Sequence, residues 1–152
     1  SYPTMRQILA ETSFKLLCGN KFLENSVSRV IVGAMEPHDA IKYIVDDSLL
    51  ITPGDREDMI MTVLGCRAAK DQKRLKVSGI VLTGNMSPAK SIMNLLAESR
   101  IPVLLAREDT YKVVGYIHDL TVKLRPRDTI KINTVIPLIK KYVDVKSILR
   151  SI

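Results

Sequence analysis

Four times along the chain, a short apolar run is followed by a polar loop and then by apolar residues at helical spacing. The runs lie at residues 28–33, 49–51, 77–83 and 102–106. Strands that are buried on both faces read as near-continuous apolar runs, and strands that alternate with helices across short loops form parallel sheets. The sequence therefore predicts an α/β fold with a mostly parallel sheet and helices on both faces.

The predicted helices are defined by their start signals and by their apolar faces. We predict Asp55 as the N-cap of the second helix, Ser87 ahead of Pro88 as the start of the third, and Asp109 as the cap of the fourth. Asp58 follows Asp55 at the spacing of a capping box. The predicted apolar faces are Ile41 and Ile44, then Met59, Ile60, Val63 and Leu64, then Ile92, Met93, Leu95 and Leu96, and finally Val113, Val114, Ile117 and Leu120.

The segments on either side of the repeat are less regular. Within residues 3–18 we predict a short helix over 4–10 and an edge strand over 14–18. Apolar spacing within 129–143 predicts C-terminal helices that extend to residue 150, with a kink or a late start at Pro137.

Length and composition favour one domain. No internal segment is rich enough in Gly, Pro or Ser to be a linker, and 152 residues suffice to bury a core without disulfides or metals. We predict a single domain over residues 1–152 with the repeat at 28–120 as its core. The longest apolar stretches are far shorter than the roughly 20 residues of a membrane span, and no secretion signal is recognisable, so we expect a cytoplasmic protein that does not cross a membrane.

The predicted topology brings four loops together. In a parallel sheet every strand-to-helix loop emerges at the carboxyl edge, where ligands of open α/β proteins bind. Helix N-termini, Arg56 and Arg107 would favour an anionic small molecule there. The candidate ligand-binding residues, all from these loops, are Gly33, Thr52, Gly54, Asp55, Arg56, Thr83, Gly84, Asn85, Arg107, Asp109 and Thr110.

No residue set points to catalysis, a metal or a cofactor. Cys18 and Cys66 lie far apart without a C-x-x-C pattern, which is typical of reduced thiols. Neither His38 nor His118 is placed with a Ser or Cys and a carboxylate, as nucleophilic catalysis requires. Glycine motifs that bind nucleotide phosphates are absent from the sequence. We therefore assign no catalytic residue, metal ligand or cofactor.

The positive charge is concentrated in the second part of the chain. The net charge is +7, and residues 1–60 hold 6 basic and 9 acidic side chains, whereas residues 61–152 hold 17 and 7. The densest segment, residues 66–76, could attract nucleic acid, but it has no interleaved aromatic residue to stack on bases. A solvated helix end explains it more simply, because basic side chains complement the C-terminal dipole.

Four patches of sequence, in this order and spacing, are typical of one known family. They are Gly33-Ala34-Met35, residues 51–58, residues 79–84, and Ile101-Pro102-Val103 followed by Asp109-Thr110. They resemble the DRTGG domain, a module found inside some phosphotransacetylases and between CBS domains in some pyrophosphatases. The likeness is strongest over residues 29–117. One position departs from the family pattern, because Thr83-Gly84 is followed by Asn85 where the family has Gly; Asn tolerates positive φ, so the turn can form.

The resemblance implies a fold like the N-terminal domain of HPr kinase, no catalysis of its own and a tendency to form homodimers. Our first hypothesis is accordingly a regulatory or ligand-sensing and dimerisation module that acts with a phosphotransacetylase-like or other metabolic enzyme. A second is a small enzyme acting on a phosphorylated or acyl metabolite, with Asp55 as base and Arg56 as anion clamp. A third is nucleic-acid binding through the basic second half. Structural and ligand-binding roles for Asp55 and Arg56 both stay open at this point.

Overall fold

Six strands form one sheet in the computed structural model of the protein, which describes residues 2–69, 75–124 and 131–133. The strands are β1 (Lys15–Cys18), β2 (Arg29–Val32), β3 (Ser48–Pro53), β4 (Val77–Thr83), β5 (Val103–Leu105) and β6 (Lys131–Asn133). Their order across the sheet is β1-β5-β4-β3-β2-β6. Only β1 is antiparallel to its neighbour. The predicted mostly parallel sheet is confirmed.

Helices cover both faces of this sheet. They are α1 (Met5–Ala10), α2 (Pro37–Ala40), α3 (Glu57–Ala68), α4 (Lys90–Glu98) and α5 (Thr110–Leu124). Side chains alternate along each strand, so in β3 Leu49 and Ile51 pack in the core beneath α1 and α5, whereas Leu50 packs in the core beneath α2, α3 and α4. This two-sided burial explains why the strands read as continuous apolar runs.

The order of the strands creates one topological switch. From β2 to β5 the chain adds strands in one direction, and the connecting helices α2, α3 and α4 all lie on one face. After β5 the chain crosses back along the other face through α5. The helices that follow the neighbouring strands β4 and β5 therefore leave toward opposite faces, and in open α/β sheets such a point opens a crevice at the carboxyl ends of the strands.

The N-terminal segment closes the edge of the sheet as predicted. Thr4 caps α1 in a capping box with Gln7, and β1 pairs with β5 at the sheet edge. Met5 lies against Gly79 in β4, where an added Cβ would come within 2.3 Å of the methionine methyl group. The missing side chain at Gly79 thus makes room for the Met5 side chain of α1 against the strand.

The first helix of the repeat differs from its prediction. α2 ends at Ala40, before the predicted helical positions, and Ile41 is 53% exposed, whereas Ile44 is buried in the core as predicted. The hydroxyl of Ser48 bonds to both the N–H and the carbonyl of Val45, which closes the segment before β3 as a turn instead.

The start of α4 also differs from its prediction. The N-cap is Ala89, not Ser87, and Pro88 lies in the loop ahead of the helix. The reason is a distant contact, because the N–H of Ala89 donates to the Glu57 carboxylate at 2.8 Å. At the C-terminus, residues 131–133 form a strand parallel to β2 where a helix was predicted. The remaining residues of the predicted C-terminal helices lie outside the described ranges.

Candidate functional site

The strand-to-helix loops meet at the carboxyl edge, as predicted, and hydrogen bonds tie them together. The Thr52 hydroxyl donates to the Gly33 carbonyl at 3.0 Å, and the N–H of Gly54 donates to the Thr83 carbonyl at 3.3 Å. The hydroxyls of Thr83 and Thr110 share a hydrogen bond of 2.7 Å. Thr52 and Thr83 are fully buried, so these hydroxyls join neighbouring loops to one another and do not face solvent.

The loop after β4 is a tight turn that is hydrogen-bonded to the loop after β5. Gly84 and Asn85 both have positive φ, 76° and 55°. Their N–H groups donate at 2.8 Å to the carbonyls of Glu108 and Ala106, respectively. Asn85 thus takes up the left-handed conformation that the family pattern fills with Gly, as the sequence predicted.

Gly54 occupies a position where no side chain fits. A Cβ there would lie 1.5 Å from the carbonyl oxygen of Met86, a contact with backbone that cannot be relieved by a side-chain rotation. The glycine is therefore required by the close packing of the loop after β3 against the loop after β4.

Arg56 is a structural crosslink across this edge. Its Nε and Nη2 donate to the two oxygens of the Asp58 carboxylate at 2.9 and 3.0 Å, and Nη2 also donates to the Met35 carbonyl at 2.9 Å. Nη1 lies 3.4 Å from the Gly33 carbonyl. The hydrogen bond between the two side chains lowers the pKa of Asp58 and raises the pKa of Arg56. The pair with Asp58 lies within the start of α3, and the bonds to the two carbonyls connect Arg56 to the loop after β2.

The predicted N-cap of α3 is wrong. The N-cap position is Arg56, no side chain caps it, and Asp55 is exposed. Asp58, which was expected to act with Asp55, is engaged by the guanidinium of Arg56. The predicted capping pair of Asp55 and Asp58 is therefore absent, and Asp58 forms an ion pair with Arg56.

The chain's own carboxylates occupy the starts of the next two helices. Asp109 caps α5 as predicted, since its Oδ1 accepts from the N–H of Lys112 at 2.9 Å. Glu57 accepts from the N–H of Ala89 immediately before α4. Each of these two helix starts therefore has one N–H group that is bonded to a carboxylate of the chain, which weakens its attraction for an external anion.

Two positively charged side chains, Lys15 and Arg107, lie near the switch point between β4 and β5. A cleft of about 460 Å³ is lined by Ser13, Lys15, Asn85, Leu105 and Arg107. Lys15 and Arg107 are both exposed. No acidic side chain is among the described residues that line it. We call it the switch-point cleft.

Strand pairing explains how these residues converge. Lys15 in β1 lies opposite Leu105 in β5, and the two strands are antiparallel. Ser13 and Arg107 each lie two residues beyond that pair, just outside the two strands, and both line the cleft. The amide of Asn85 is then brought alongside by its backbone bond to Ala106.

The predicted candidate residues thus divide into three groups. Asn85 and Arg107 line the switch-point cleft. Asp55 is exposed and is not part of that lining. The others hold the edge together by backbone or side-chain contacts: Gly33, Thr52, Gly54, Arg56, Thr83, Gly84, Asp109 and Thr110.

Sequence reasoning missed Ser13, Lys15 and Leu105. An edge strand at 14–18 was predicted, but its partner was not. Antiparallel pairing with β5 would have placed the beginning of β1 beside the carboxyl end of β5, next to Arg107.

No group of three or more His, Cys, Asp and Glu residues in the described part of the chain could hold a metal ion. None of the helices in that part of the chain is long and apolar enough to span a membrane.

Comparison with known proteins identifies the family. The family model for the DRTGG domain matches residues 7–120. The chain belongs to the DRTGG domain family. Its family-defining patches are Asp55-Arg56 and Thr83-Gly84-Asn85, which the structure places in adjacent loops of the carboxyl edge.

The chain is also similar to part of two phosphate acetyltransferases. It is 31% identical over 145 residues to the enzyme of Nitratidesulfovibrio vulgaris and 30% identical over 148 residues to that of Synechocystis sp.. These alignments cover 93% and 95% of this chain but only 20% and 21% of the enzymes. The chain therefore spans about a fifth of the length of these relatives.

A solved structure shares the fold. It contains the CBS and DRTGG domains of the regulatory region of a Clostridium perfringens pyrophosphatase, complexed with the activator diadenosine tetraphosphate. The match has a TM-score of 0.63 at 21% identity and covers 88% of this chain and 52% of that one. The predicted α/β fold and the predicted membership of the DRTGG family are confirmed.

Proposed function

We propose that this DRTGG domain is a sensor that binds a phosphorylated small molecule in the switch-point cleft. The observation that carries the proposal is the convergence of Lys15, Asn85 and Arg107 where, in the described part of the sheet, the helices after adjacent strands leave toward opposite faces. Ligands of open α/β folds bind at such points. A lysine and an arginine supply the charge and an amide supplies directional hydrogen bonds, which suits a phosphate group.

The size of the cleft fits this class of ligand. Its volume of about 460 Å³ lies within the range of small-molecule sites, roughly 300–1,000 Å³. Leu105 contributes an apolar wall. A phosphorylated metabolite with an organic part, such as an acyl phosphate or a nucleotide, would use both the charge and that wall. The activator in the pyrophosphatase structure is also a phosphorylated molecule.

The enzymatic alternative receives less support from the geometry. It relied on Asp55 as a base and Arg56 as an anion clamp. Asp55 is exposed outside the switch-point cleft, and Arg56 is engaged by Asp58 and by the Met35 carbonyl. We therefore keep a regulatory function, and we propose that its output partner is a phosphate acetyltransferase-like enzyme, because nearly the whole chain aligns with part of two such enzymes.

A thermal-shift experiment tests the binding proposal. The protein, Arg107→Gln and the control Arg29→Gln are each screened with acetyl phosphate, coenzyme A, ATP and diadenosine tetraphosphate. Arg29 begins β2 and does not line the cleft, so its substitution removes the same charge elsewhere. At 100 times its dissociation constant a ligand adds about 2.7 kcal/mol, which raises the midpoint by roughly 5–10 °C in a domain of this size.

The expected result is a shift with at least one compound that survives in Arg29→Gln and disappears in Arg107→Gln. A shift that Arg107→Gln leaves intact would place binding elsewhere. The absence of any shift across these compounds would contradict the sensor function.

Self-association is a separate part of the proposal. Ile41, directly after α2, Met61 in α3 and Leu95 in α4 are 53%, 43% and 46% exposed on one face of the protein. A homodimer that covers such side chains would gain apolar burial. Light scattering coupled to size-exclusion chromatography should give about twice the chain mass of 17.0 kDa, and a monomer at micromolar concentration would contradict it.

A further inference from the structure

Asn85 has a backbone conformation that glycine would adopt more easily. Its φ is 55°, in the left-handed region, where Asn is tolerated but a residue without a Cβ has no steric cost. The preceding residue, whose φ is 76°, is a glycine, Gly84. The turn itself therefore does not require an asparagine side chain at position 85.

The side chain of Asn85 is not used to hold the fold together. The residue donates its backbone N–H to the Ala106 carbonyl at 2.8 Å, a bond that any residue except proline can make. Its side-chain amide, in contrast, has no hydrogen bond to the described part of the chain. Asn85 is exposed and lines the switch-point cleft together with Arg107. The amide is therefore free to bind a ligand.

The two charged side chains of this cleft are hydrogen-bond donors only. Lys15 and Arg107 present N–H groups, which suit the oxygens of a phosphate. Among the described residues that line the cleft, the side-chain acceptors are the amide oxygen of Asn85 and the hydroxyl of Ser13. The amide carries a donor and an acceptor on one planar group. It can therefore donate to a phosphate oxygen and accept from a neighbouring group of the same ligand.

We propose that Asn85 is a specificity-determining residue that selects phosphate esters with a hydroxyl group next to the phosphate. The inference rests on the proposed function, since it requires phosphate binding in the switch-point cleft. The backbone of Asn85 is bonded to the residue before Arg107, so the amide lies next to the expected position of the phosphate. A phosphorylated polyol or sugar, including the ribose phosphate of a nucleotide, offers a hydroxyl donor there, whereas an acyl phosphate has none.

The consequence is discrimination between ligands that differ only in their hydroxyl groups. A positioned acceptor favours the hydroxylated ligand, because an analogue without the hydroxyl leaves that acceptor without its partner. For one neutral hydrogen bond in an open cleft, the expected preference is roughly three- to tenfold in dissociation constant.

Two small phosphate esters test the proposal. Glycerol 3-phosphate and n-propyl phosphate have the same carbon chain, but only the first carries hydroxyl groups. Their dissociation constants are measured from ¹H–¹⁵N correlation spectra of the protein, Asn85→Gly and Asn94→Ala. Asn85→Gly removes the amide and retains the left-handed turn, whereas Asn94→Ala removes an exposed amide of α4 outside the cleft.

The protein and Asn94→Ala should bind glycerol 3-phosphate roughly three- to tenfold more tightly than propyl phosphate. Asn85→Gly should bind the two esters with nearly equal affinity. Asn85→Asp tolerates positive φ and keeps an acceptor, so it should retain the preference while its charge weakens the binding of both esters.

Two kinds of failure can be told apart. Equal affinities of the two esters for the protein, or a preference that survives in Asn85→Gly, would overturn the role of Asn85 and leave phosphate binding in the cleft intact. If neither ester shifts the amide resonances of Lys15 and Arg107 in a saturable way, phosphate binding in this cleft fails, and the inference fails with it.

Discussion

Replacing Gly54 by alanine adds one carbon atom where the loops after β3 and β4 pack against each other, and so tests the packing of the carboxyl edge. The new Cβ would lie 1.5 Å from the Met86 carbonyl oxygen and 2.4 Å from its carbon, whereas real Cβ contacts essentially never fall below 3.0 Å. The loop after β4 would have to move away from the loop after β3. That movement strains two hydrogen bonds of 2.8 Å, which the N–H groups of Gly84 and Asn85 donate to the carbonyls of Glu108 and Ala106.

The magnitude follows from these contacts. Two weakened hydrogen bonds cost about 1 kcal/mol each, and overpacking costs about 1–3 kcal/mol. We therefore expect Gly54→Ala to lower the free energy of unfolding by about 3 kcal/mol or more. Gly65→Ala is a matched control, because a Cβ at this exposed position within α3 meets nothing within 4 Å. It should stabilise the protein by about 0.5–1 kcal/mol.

Urea unfolding followed by far-UV circular dichroism measures both variants, since the chain has no tryptophan for fluorescence. The two substitutions should move the midpoint in opposite directions without changing the denaturant slope. A Gly54→Ala protein within about 0.5 kcal/mol of the parent would refute the close packing of these loops.

Three further outcomes follow from the described contacts. Arg56→Lys should lower stability by about 1.5 kcal/mol in the same urea assay, because an ammonium group cannot reproduce the planar fork that reaches both Asp58 and the Met35 carbonyl; an unchanged midpoint would contradict this role. Asp58→Asn should lose at most about 1 kcal/mol at pH 7, because the pair is half exposed. The lowered pKa of Asp58 means that its pairing stabilises the fold above the ordinary value of 3.8 and is lost as pH falls through the lowered value, so the variant and the parent should become equally stable in strong acid. Burial raises the pKa of the Cys18 and Cys66 thiols, so both should react slowly with iodoacetamide at pH 7, and rapid labelling would show that they are more accessible than the structure indicates.

The strands could be predicted because burial on both faces leaves a direct record in the sequence. The apolar runs at 49–51 and 77–83 became β3 and β4 with nearly the expected bounds. Helix starts were harder, because they depend on contacts between distant loops. The bond from Ala89 to Glu57 spans 32 positions in sequence, and no local pattern around Ser87 and Pro88 announces it.

The candidate site could likewise be predicted only in part, because some of its residues are brought together by distant contacts. Parallel topology alone placed Asn85 and Arg107 at one edge, and both line the switch-point cleft. Lys15 could not be added without knowing that β1 pairs with β5 in the antiparallel sense. The Asp55-Arg56 patch looked like a ligand site because charge followed a strand, whereas the bonds of Arg56 to the Met35 and Gly33 carbonyls make it a structural crosslink.

The most direct test of the central claim is a two-dimensional ¹H–¹⁵N correlation spectrum of the protein titrated separately with acetyl phosphate and with diadenosine tetraphosphate. If the domain senses a phosphorylated molecule at the switch point, at least one of these compounds should shift the amide resonances of Lys15, Asn85 and Arg107 in a saturable way. Shifts confined to Asp55 and Arg56, or no saturable shift with either compound, would contradict the account.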